Sequence, residues 1–344
     1  MTDLTDASLT GEPIALTRKD FVSDQEVRWC PGCGDYSILA QTQRVMPDFG
    51  YPRENIVFIS GIGCSGRLPY YMNTFGFHSI HGRAPTLATG LKIARPELMV
   101  WVITGDGDAL SIGGNHVLHT MRRNVDVKLV MFNNRIYGLT KGQASPTSEF
   151  GKRTKSTPDG TVDQPVVPLS VALTAEATFV ARTVDTYTEH IQETLDAAGR
   201  HKGSVFVEVL QNCNIFNDGA WRDFTDRDVR DDRMLKVKHG QPMVFGRDAD
   251  KGIRLVGLKP EVVALGGDIS ESDLAVHDET DDTLAYILSR MFWPEFPVPI
   301  GVIKRVSRPM HHQLVAGQIE LVRADKGEGD LRDLLFASDS WTIS

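Results

Sequence analysis

The chain has 344 residues, 41% of them hydrophobic, and a formal charge of -8 from 37 Lys plus Arg against 45 Asp plus Glu. That is enough apolar material for a real core, which excludes a disordered or fibrous chain, and the acidic balance excludes a global basic field that would hold nucleic acid or an anionic membrane. No apolar run approaches the ~18–20 residues of a membrane span and the opening residues lack a hydrophobic leader core, so a soluble, cytoplasmic protein is expected.

Residues 1–20 mix Thr, Asp, Ser, Gly and Pro without periodicity and read as a flexible lead-in. From about Val27 to Val209, short β-rich runs alternate with helical stretches, the pattern of a parallel sheet covered on both faces. The expected strands are Ile56–Ser60, Leu98–Thr104, Val127–Phe132, Val205–Leu210 and a fifth around Thr178–Arg182. Helical spacing appears in Ala109–Arg123 (Leu110, Val117, Leu118, Met121) and in Thr186–Gly199 (Ile191, Leu195, Ala198). Residues 21–230 therefore read as a doubly wound α/β domain with a mostly parallel sheet. A charge-dense connector, NDGAWRDFTDRDVRDDR, ends that domain. The region 231–344 carries acid-rich HDETDDT, helical TLAYILSRMF and Pro-rich FPVPIGVIKRVSRP, and reads as an appended region that packs on the core or on a partner.

Open α/β sheets bind ligands beyond the carboxyl ends of their strands. Four expected strands run there into residues with chemistry: IVFIS into GIGC with Cys64, LMVWVIT into GDGD with Asp106, VKLVMF into Asn133-Asn134, and VFVEVL into QNC with Cys213. Two cysteines, an acid and an amide thus share one edge.

Gly105-Asp106-Gly107-Asp108 lies between a strand and a helix, where glycines admit phosphates and a helix start offers free amides. A dinucleotide fingerprint needs a third glycine where Leu110 stands. Asp106 and Asp108 would repel a bare diphosphate by several kcal/mol at an effective dielectric of about 20, and a divalent cation reverses that sign. Mg²⁺ takes octahedral oxygen ligands, usually one or two protein groups plus substrate phosphates. Asn133-Asn134 offers a carboxamide oxygen and Ile136 a backbone carbonyl close by. Taken singly, Gly-Asp-Gly and Asn-Asn are ordinary turns; their pairing on adjacent strand ends is not.

Cys30-Pro31-Gly32-Cys33 leaves three readings open. A structural zinc site usually has two local pairs, whereas Cys64 and Cys213 are single and distant. A redox dithiol would use the pair alone and leave the single cysteines as small buried hydrophobes. Four thiolates suit a 4Fe-4S cluster.

Gly105-Asp106-Gly107, 25 residues, then Asn133-Asn134 resembles the GDG and NN motif of thiamine diphosphate enzymes. In that family the Asp, the second Asn and a carbonyl two residues on bind Mg²⁺, which implies Asp106, Asn134 and Ile136. WCPGCGDY, GIGCSGRLPYY, HGRAPTLATGLKIA, TGDGDALSIGGNH, FNNRIYGLTKGQ and EVLQNCNIFNDGA, in this order, are similar to the beta subunit of 2-oxoacid:ferredoxin oxidoreductases. With FPVPIGVIKRVSRP the likeness covers about residues 25–310. It implies the diphosphate-binding (PP-type) thiamine domain and one 4Fe-4S cluster on Cys30, Cys33, Cys64 and Cys213. It also implies thiamine contacts from Ile62, Gly63, Cys64, Ser65, His81, Gly82, Arg83, Gly105, Gly107, Asp108, Gly138 and Leu139.

Arg67 and Lys141 are candidates for the carboxylates of an acidic oxoacid, set against the ordinary reading of solvated surface cations. Tyr70, Tyr71 and Phe75 are either pocket lining or core. The resemblance implies oxidative decarboxylation of 2-oxoglutarate to succinyl-CoA and CO₂, with coenzyme A as co-substrate and ferredoxin as electron acceptor. Pyruvate is the alternative substrate; a non-redox thiamine lyase or carboligase and a zinc module are the alternative classes. The family carries its pyrimidine-binding domain and activating Glu on an alpha subunit, so the chain is expected to act in an alpha–beta pair or a heterotetramer of two of each.

Overall fold

The computed structural model describes residues 16–343. Of the expected lead-in, residues 1–15 lie outside that range. Arg18–Phe21 form a 3₁₀ turn closed by Thr17, whose backbone N donates to Asp20 Oδ2 at 2.7 Å, and Phe21 is fully buried.

In chain order the first part contains α1 (Asp35–Val45), β1 (Ile56–Ser60), β2 (Phe75–His78), α2 (Ala84–Ala94), β3 (Met99–Gly105), α3 (Asp106–Leu110), α4 (Gly114–Arg122) and β4 (Lys128–Asn133). There follow α5 (Pro168–Thr174), β5 (Phe179–Val184), α6 (Thr188–Arg200), β6 (Val205–Leu210) and the single turns α7 (Arg222–Thr225) and α8 (Arg230–Arg233). The chain closes with β7 (Met234–Lys236), β8 (Val244–Phe245), β9 (Lys251–Val256), β10 (Lys259–Ala264), α9 (Asp282–Arg290), β11 (Val298–Arg305), α10 (His311–Lys326) and α11 (Leu331–Leu335).

Eight strands form one sheet in the order β2-β1-β3-β4-β6-β5-β11-β7. The first six run parallel, whereas β11 pairs antiparallel with β5 and carries β7 parallel to itself. Period-two alternation splits the strands between two cores. Val57 and Ile59 face α2, α4, α5 and α9; Ile56 and Phe58 face α1 and α6. Ile191, Leu195 and Ala198 of α6 are fully buried, as their spacing predicts. Each large side chain removed from water in this way contributes about 1.5–3 kcal/mol.

The doubly wound sheet expected from the sequence is present, and three details differ. The stretch Ala109–Arg123 is two helices, because Gly113 passes so close to Asp108 that a Cβ there would lie 2.3 Å from its carbonyl oxygen. The region from 231 onward is continuous with the core through β7 and β11, and a separate antiparallel sheet β10-β9-β8 sits beside it. The Pro-rich segment is itself a strand. Pro299 is tolerated there because β5 pairs with β11 only from Gly301 onward, so the missing N–H falls outside that ladder. Among the described residues no helix is long and apolar enough to cross a membrane.

At the centre of the sheet, Arg182 Nε donates to Glu208 Oε2 at 2.7 Å with both side chains fully buried. Asn133 Nδ2 donates to the other Glu208 oxygen at 2.7 Å, and the Arg182 guanidinium stacks on Phe292. Removing one member leaves a buried charge unpaired. Glu208→Ala is expected to cost about 3–5 kcal/mol in a urea unfolding curve, whereas the joint change Arg182→Met and Glu208→Leu stays near neutral. Equal losses in the two proteins would assign the pair no electrostatic role.

Candidate functional site

The parallel registers set Ser60 opposite Ile103, Gly105 opposite Phe132 and Asn133 opposite Leu210, so β1, β3, β4 and β6 end at one level. The loops that leave this edge enclose a cavity of about 220 Å³. Its walls are Asp35, residues 62–65, His81, residues 105–108, Phe132, Asn134 and residues 136–140.

Asp108 ties these walls together. Its Oδ1 accepts from the backbone N of Ile62 at 3.1 Å, the backbone N of Gly82 at 2.7 Å and His81 Nδ1 at 2.6 Å; its Oδ2 accepts from Thr104 Oγ1 at 2.6 Å. A carboxylate only accepts, so the His81 proton sits on Nδ1 and the ring turns Nε2 outward. Gly61 has to be glycine because a Cβ there would stand 2.0 Å from Asp108 Oδ2.

Asp106 is buried too, and differently bound. Ser145 Oγ and Thr147 Oγ1 both donate to its Oδ2 at 2.5 Å. Burial pushes this carboxyl up to about 6 against those hydrogen bonds. On β4 the two asparagines alternate. Asn133 turns into the protein, bonded to Glu208 and Thr147, while Asn134 lines the cavity. Arg135 then takes a left-handed conformation (φ 57), held by Glu149 and stacked on Trp221, and the chain turns back so that Ile136 also lines the cavity. Asp106, Asn134 and Ile136 are thus brought to one wall, as oxygen donors to a hard cation require.

The cysteines gather beside this cavity as free thiols. A Cβ on Gly138 would lie 3.5 Å from Cys213 Sγ and 3.6 Å from Cys64 Sγ, so Gly138 forms a wall shared by the cavity and the thiols. Burial, the Asp35 carboxylate and the neighbouring thiols push Cys64 up to about 12, with Arg67 opposing. Burial and Asp35 raise Cys33 further. A positive centre bound beside Cys33 and Cys64 would reverse that shift and deprotonate a ligating thiol outright. Among the described residues, no three His, Cys, Asp or Glu groups close on a point as ligands of a single ion do.

Every expected thiamine contact lines the cavity except Gly82 and Arg83. Gly82 acts through its bond to Asp108, and the Arg83 guanidinium is bound by the carbonyls of His81 and Ile112. Neither Arg67 nor Lys141 lines it. Arg67 donates to the Arg28 carbonyl at 2.9 Å beside the cysteines, and Lys141 is exposed at the tip of the loop after Thr140, so the cavity gives no support to their expected carboxylate contacts. Tyr71 is core, packed edge-on against Trp29, and Tyr70 and Phe75 are exposed. Sequence reasoning missed Tyr137, whose ring occupies the place of a Cβ on Gly107 and whose hydroxyl donates to the Gly107 carbonyl. It also missed Asp35, two positions after Cys33. The signals were the second glycine of GDG and the acid in CPGCGD.

Residues 61–209 match the family described as the thiamine pyrophosphate enzyme, C-terminal TPP binding domain. Over 330 residues the chain is 52% identical to the 2-oxoglutarate oxidoreductase subunit KorB of Mycobacterium tuberculosis, covering 94% of this chain and 88% of that one. It is 46% identical over 225 residues to the 2-oxoacid:ferredoxin oxidoreductase 1 subunit beta of Aeropyrum pernix, covering 65% and 68% of the two chains. Among solved structures it is similar to the 2-oxoglutarate:ferredoxin oxidoreductase from Magnetococcus marinus with 2-oxoglutarate, coenzyme A and succinyl-CoA bound. That match has a TM-score of 0.74 and 32% identity, and it covers 94% of this chain and 95% of the other. A cavity walled by the GDG and NN segments, two thiols against its Gly138 and near full-length similarity to these subunits agree: the chain belongs to the beta subunits of the 2-oxoacid:ferredoxin oxidoreductases.

Proposed function

We propose that this chain is the cofactor-holding half of an enzyme that oxidatively decarboxylates 2-oxoglutarate to succinyl-CoA and CO₂ and delivers the electrons to ferredoxin. The observation that carries the reading is the shared wall at Gly138, which sets an oxygen-donor cavity beside the Cys64 and Cys213 thiols. The choice of 2-oxoglutarate is supported by the names of the KorB relatives and of the Magnetococcus marinus structure.

Thiamine diphosphate, when bound, supplies an electron sink for decarboxylation, and a 4Fe-4S cluster takes electrons singly at low potential. This chain's residues bind and orient. Asp106, Asn134 and the Ile136 carbonyl would hold Mg²⁺ against the diphosphate, with Ser145 and Thr147 fixing the Asp106 carboxylate. His81, aimed by Asp108, would offer Nε2 to the cofactor, and residues 62–65, 105–107 and 138–139, which line the cavity, would contact it. Cys30, Cys33, Cys64 and Cys213 would hold the cluster. The activating carboxylate comes from an alpha subunit, and the region from 231 onward, with exposed Leu314, Leu321, Leu334 and Phe336, lies against a partner subunit.

The whole reading is tested by purifying the chain anaerobically with its alpha subunit and assaying CoA-dependent ferredoxin reduction on a panel of 2-oxoacids. 2-Oxoglutarate is expected to give the highest kcat/KM and the chain alone to give no turnover; a higher kcat/KM for pyruvate would overturn the substrate. Elemental analysis is expected to find about four irons per chain. Cys30→Ala and Cys213→Ala should each abolish the cluster's visible absorbance while Mg²⁺-dependent thiamine diphosphate binding persists; stoichiometric zinc in place of iron would sink the cluster. Thr147→Val removes one bond that orients Asp106 and is expected to weaken Mg²⁺-dependent cofactor binding roughly 10–100-fold in calorimetry, with unchanged iron content.

A further inference from the structure

Gln211 follows β6 directly and is 1% exposed. Its backbone N donates to the Asn133 carbonyl at 2.9 Å, fixing it to the sheet edge. Its side-chain Nε2 donates to the Asn212 carbonyl at 2.6 Å and to Cys33 Sγ at 3.3 Å. A carbonyl and a ligating thiolate are both acceptors, so the amide has one sensible orientation; turned over, Oε1 would face two lone-pair groups. In the observed orientation Oε1 is buried without a partner among the described residues. Burying an unpaired amide oxygen is unfavourable, and an apolar side chain of the same length avoids that cost. The two N–H groups therefore do something that packing does not require. The chain also makes room for them. A Cβ on Gly34, the residue after Cys33, would lie 3.1 Å from Gln211 Cγ and 1.9 Å from Asp185 Oδ2.

We propose that Gln211 sets the reduction potential of the cluster through its N–H···S bond to Cys33. This rests on the reading of the four cysteines as cluster ligands. One-electron reduction adds negative charge to the cluster and its thiolates, and a donor aimed at a thiolate sulfur is worth more as that charge grows. The bond thus favours the reduced state and holds the potential above the value that the same four cysteines would give without it.

The test uses the anaerobically purified complex with the alpha subunit and an EPR-monitored redox titration. Gln211→Met keeps the length and removes both donors; Gln211→Glu keeps the shape and puts acceptor oxygens towards the sulfur. Both are expected to retain the wild-type iron and sulfide content and the wild-type thiamine diphosphate affinity. For Gln211→Met the equilibrium constant for reduction should fall about tenfold, read as a midpoint about 59 mV more negative for one electron. Gln211→Glu should shift it further the same way. An unchanged midpoint in the iron-replete variants overturns the proposal. So does loss of the cluster in both, which would make Gln211 a requirement of assembly. Absence of iron from the wild-type complex is a separate result, read first, and it removes the cluster reading itself.

Discussion

One buried carboxylate holds the cofactor cavity in shape. Asp108 gathers the backbone of Ile62, the backbone of Gly82, the His81 ring and the Thr104 hydroxyl, four groups from segments as far apart as β1 and the start of α2. Each is a hydrogen bond to a charged acceptor, worth about 1.5–3 kcal/mol, and together they offset the desolvation of the anion. The glycines around it follow from that role. Gly61 has no room for a Cβ beside the carboxylate, and Gly82 and Gly113 pass so close that a Cβ on Gly82 would stand 2.6 Å from the Gly113 nitrogen. The break between α3 and α4 is the backbone's response to the same crowding.

Asp106 and Asp108 are two residues apart and have different tasks because their surroundings differ. Asp108 is saturated by the protein's own donors and acts as a strut. Asp106 has one oxygen fixed by Ser145 and Thr147 and borders the cavity, as the proposed role in holding a cation requires. The asparagines on β4 divide in the same way through strand alternation: Asn133 is spent on Glu208 inside the sheet, and its neighbour Asn134 faces the cavity. The buried Arg182–Glu208 pair thereby connects the centre of the sheet to the residue beside a proposed metal ligand.

The thiols and the cavity meet at Gly138, where no side chain intervenes. A single carbon there would touch two sulfurs at ordinary van der Waals distance. The backbone alone thus brings these thiols up to the cavity wall, and Trp29, whose Nε1 donates to the Cys64 carbonyl at 2.7 Å, holds the loop that carries one of them.

Much of this was legible in the sequence, because local chemistry states it. Runs such as IVFIS and VFVEVL are buried on both faces, so hydrophobicity alone located them as parallel strands to the residue, and the order of motifs at strand ends placed the acid, the amide and two cysteines on one edge. Other features depend on groups remote in the chain. The edge strand β2 is exposed throughout, and its two phenylalanines, interrupted by Gly76, are too short a run to mark a buried strand. β11 joins the sheet because it finds β5 more than a hundred residues earlier. Asp108 was expected as one contact among many; that it is the strut, that Asn133 faces inward while Asn134 faces the cavity, that Tyr137 fills the space left by Gly107, and that Gln211 reaches Cys33 were decided by the packing of the sheet edge. The sequence determined which donors this protein has and the strand ends from which they leave; the tertiary structure decided which of them are consumed internally and which remain for a ligand, since that depends on distances between segments that no local pattern encodes.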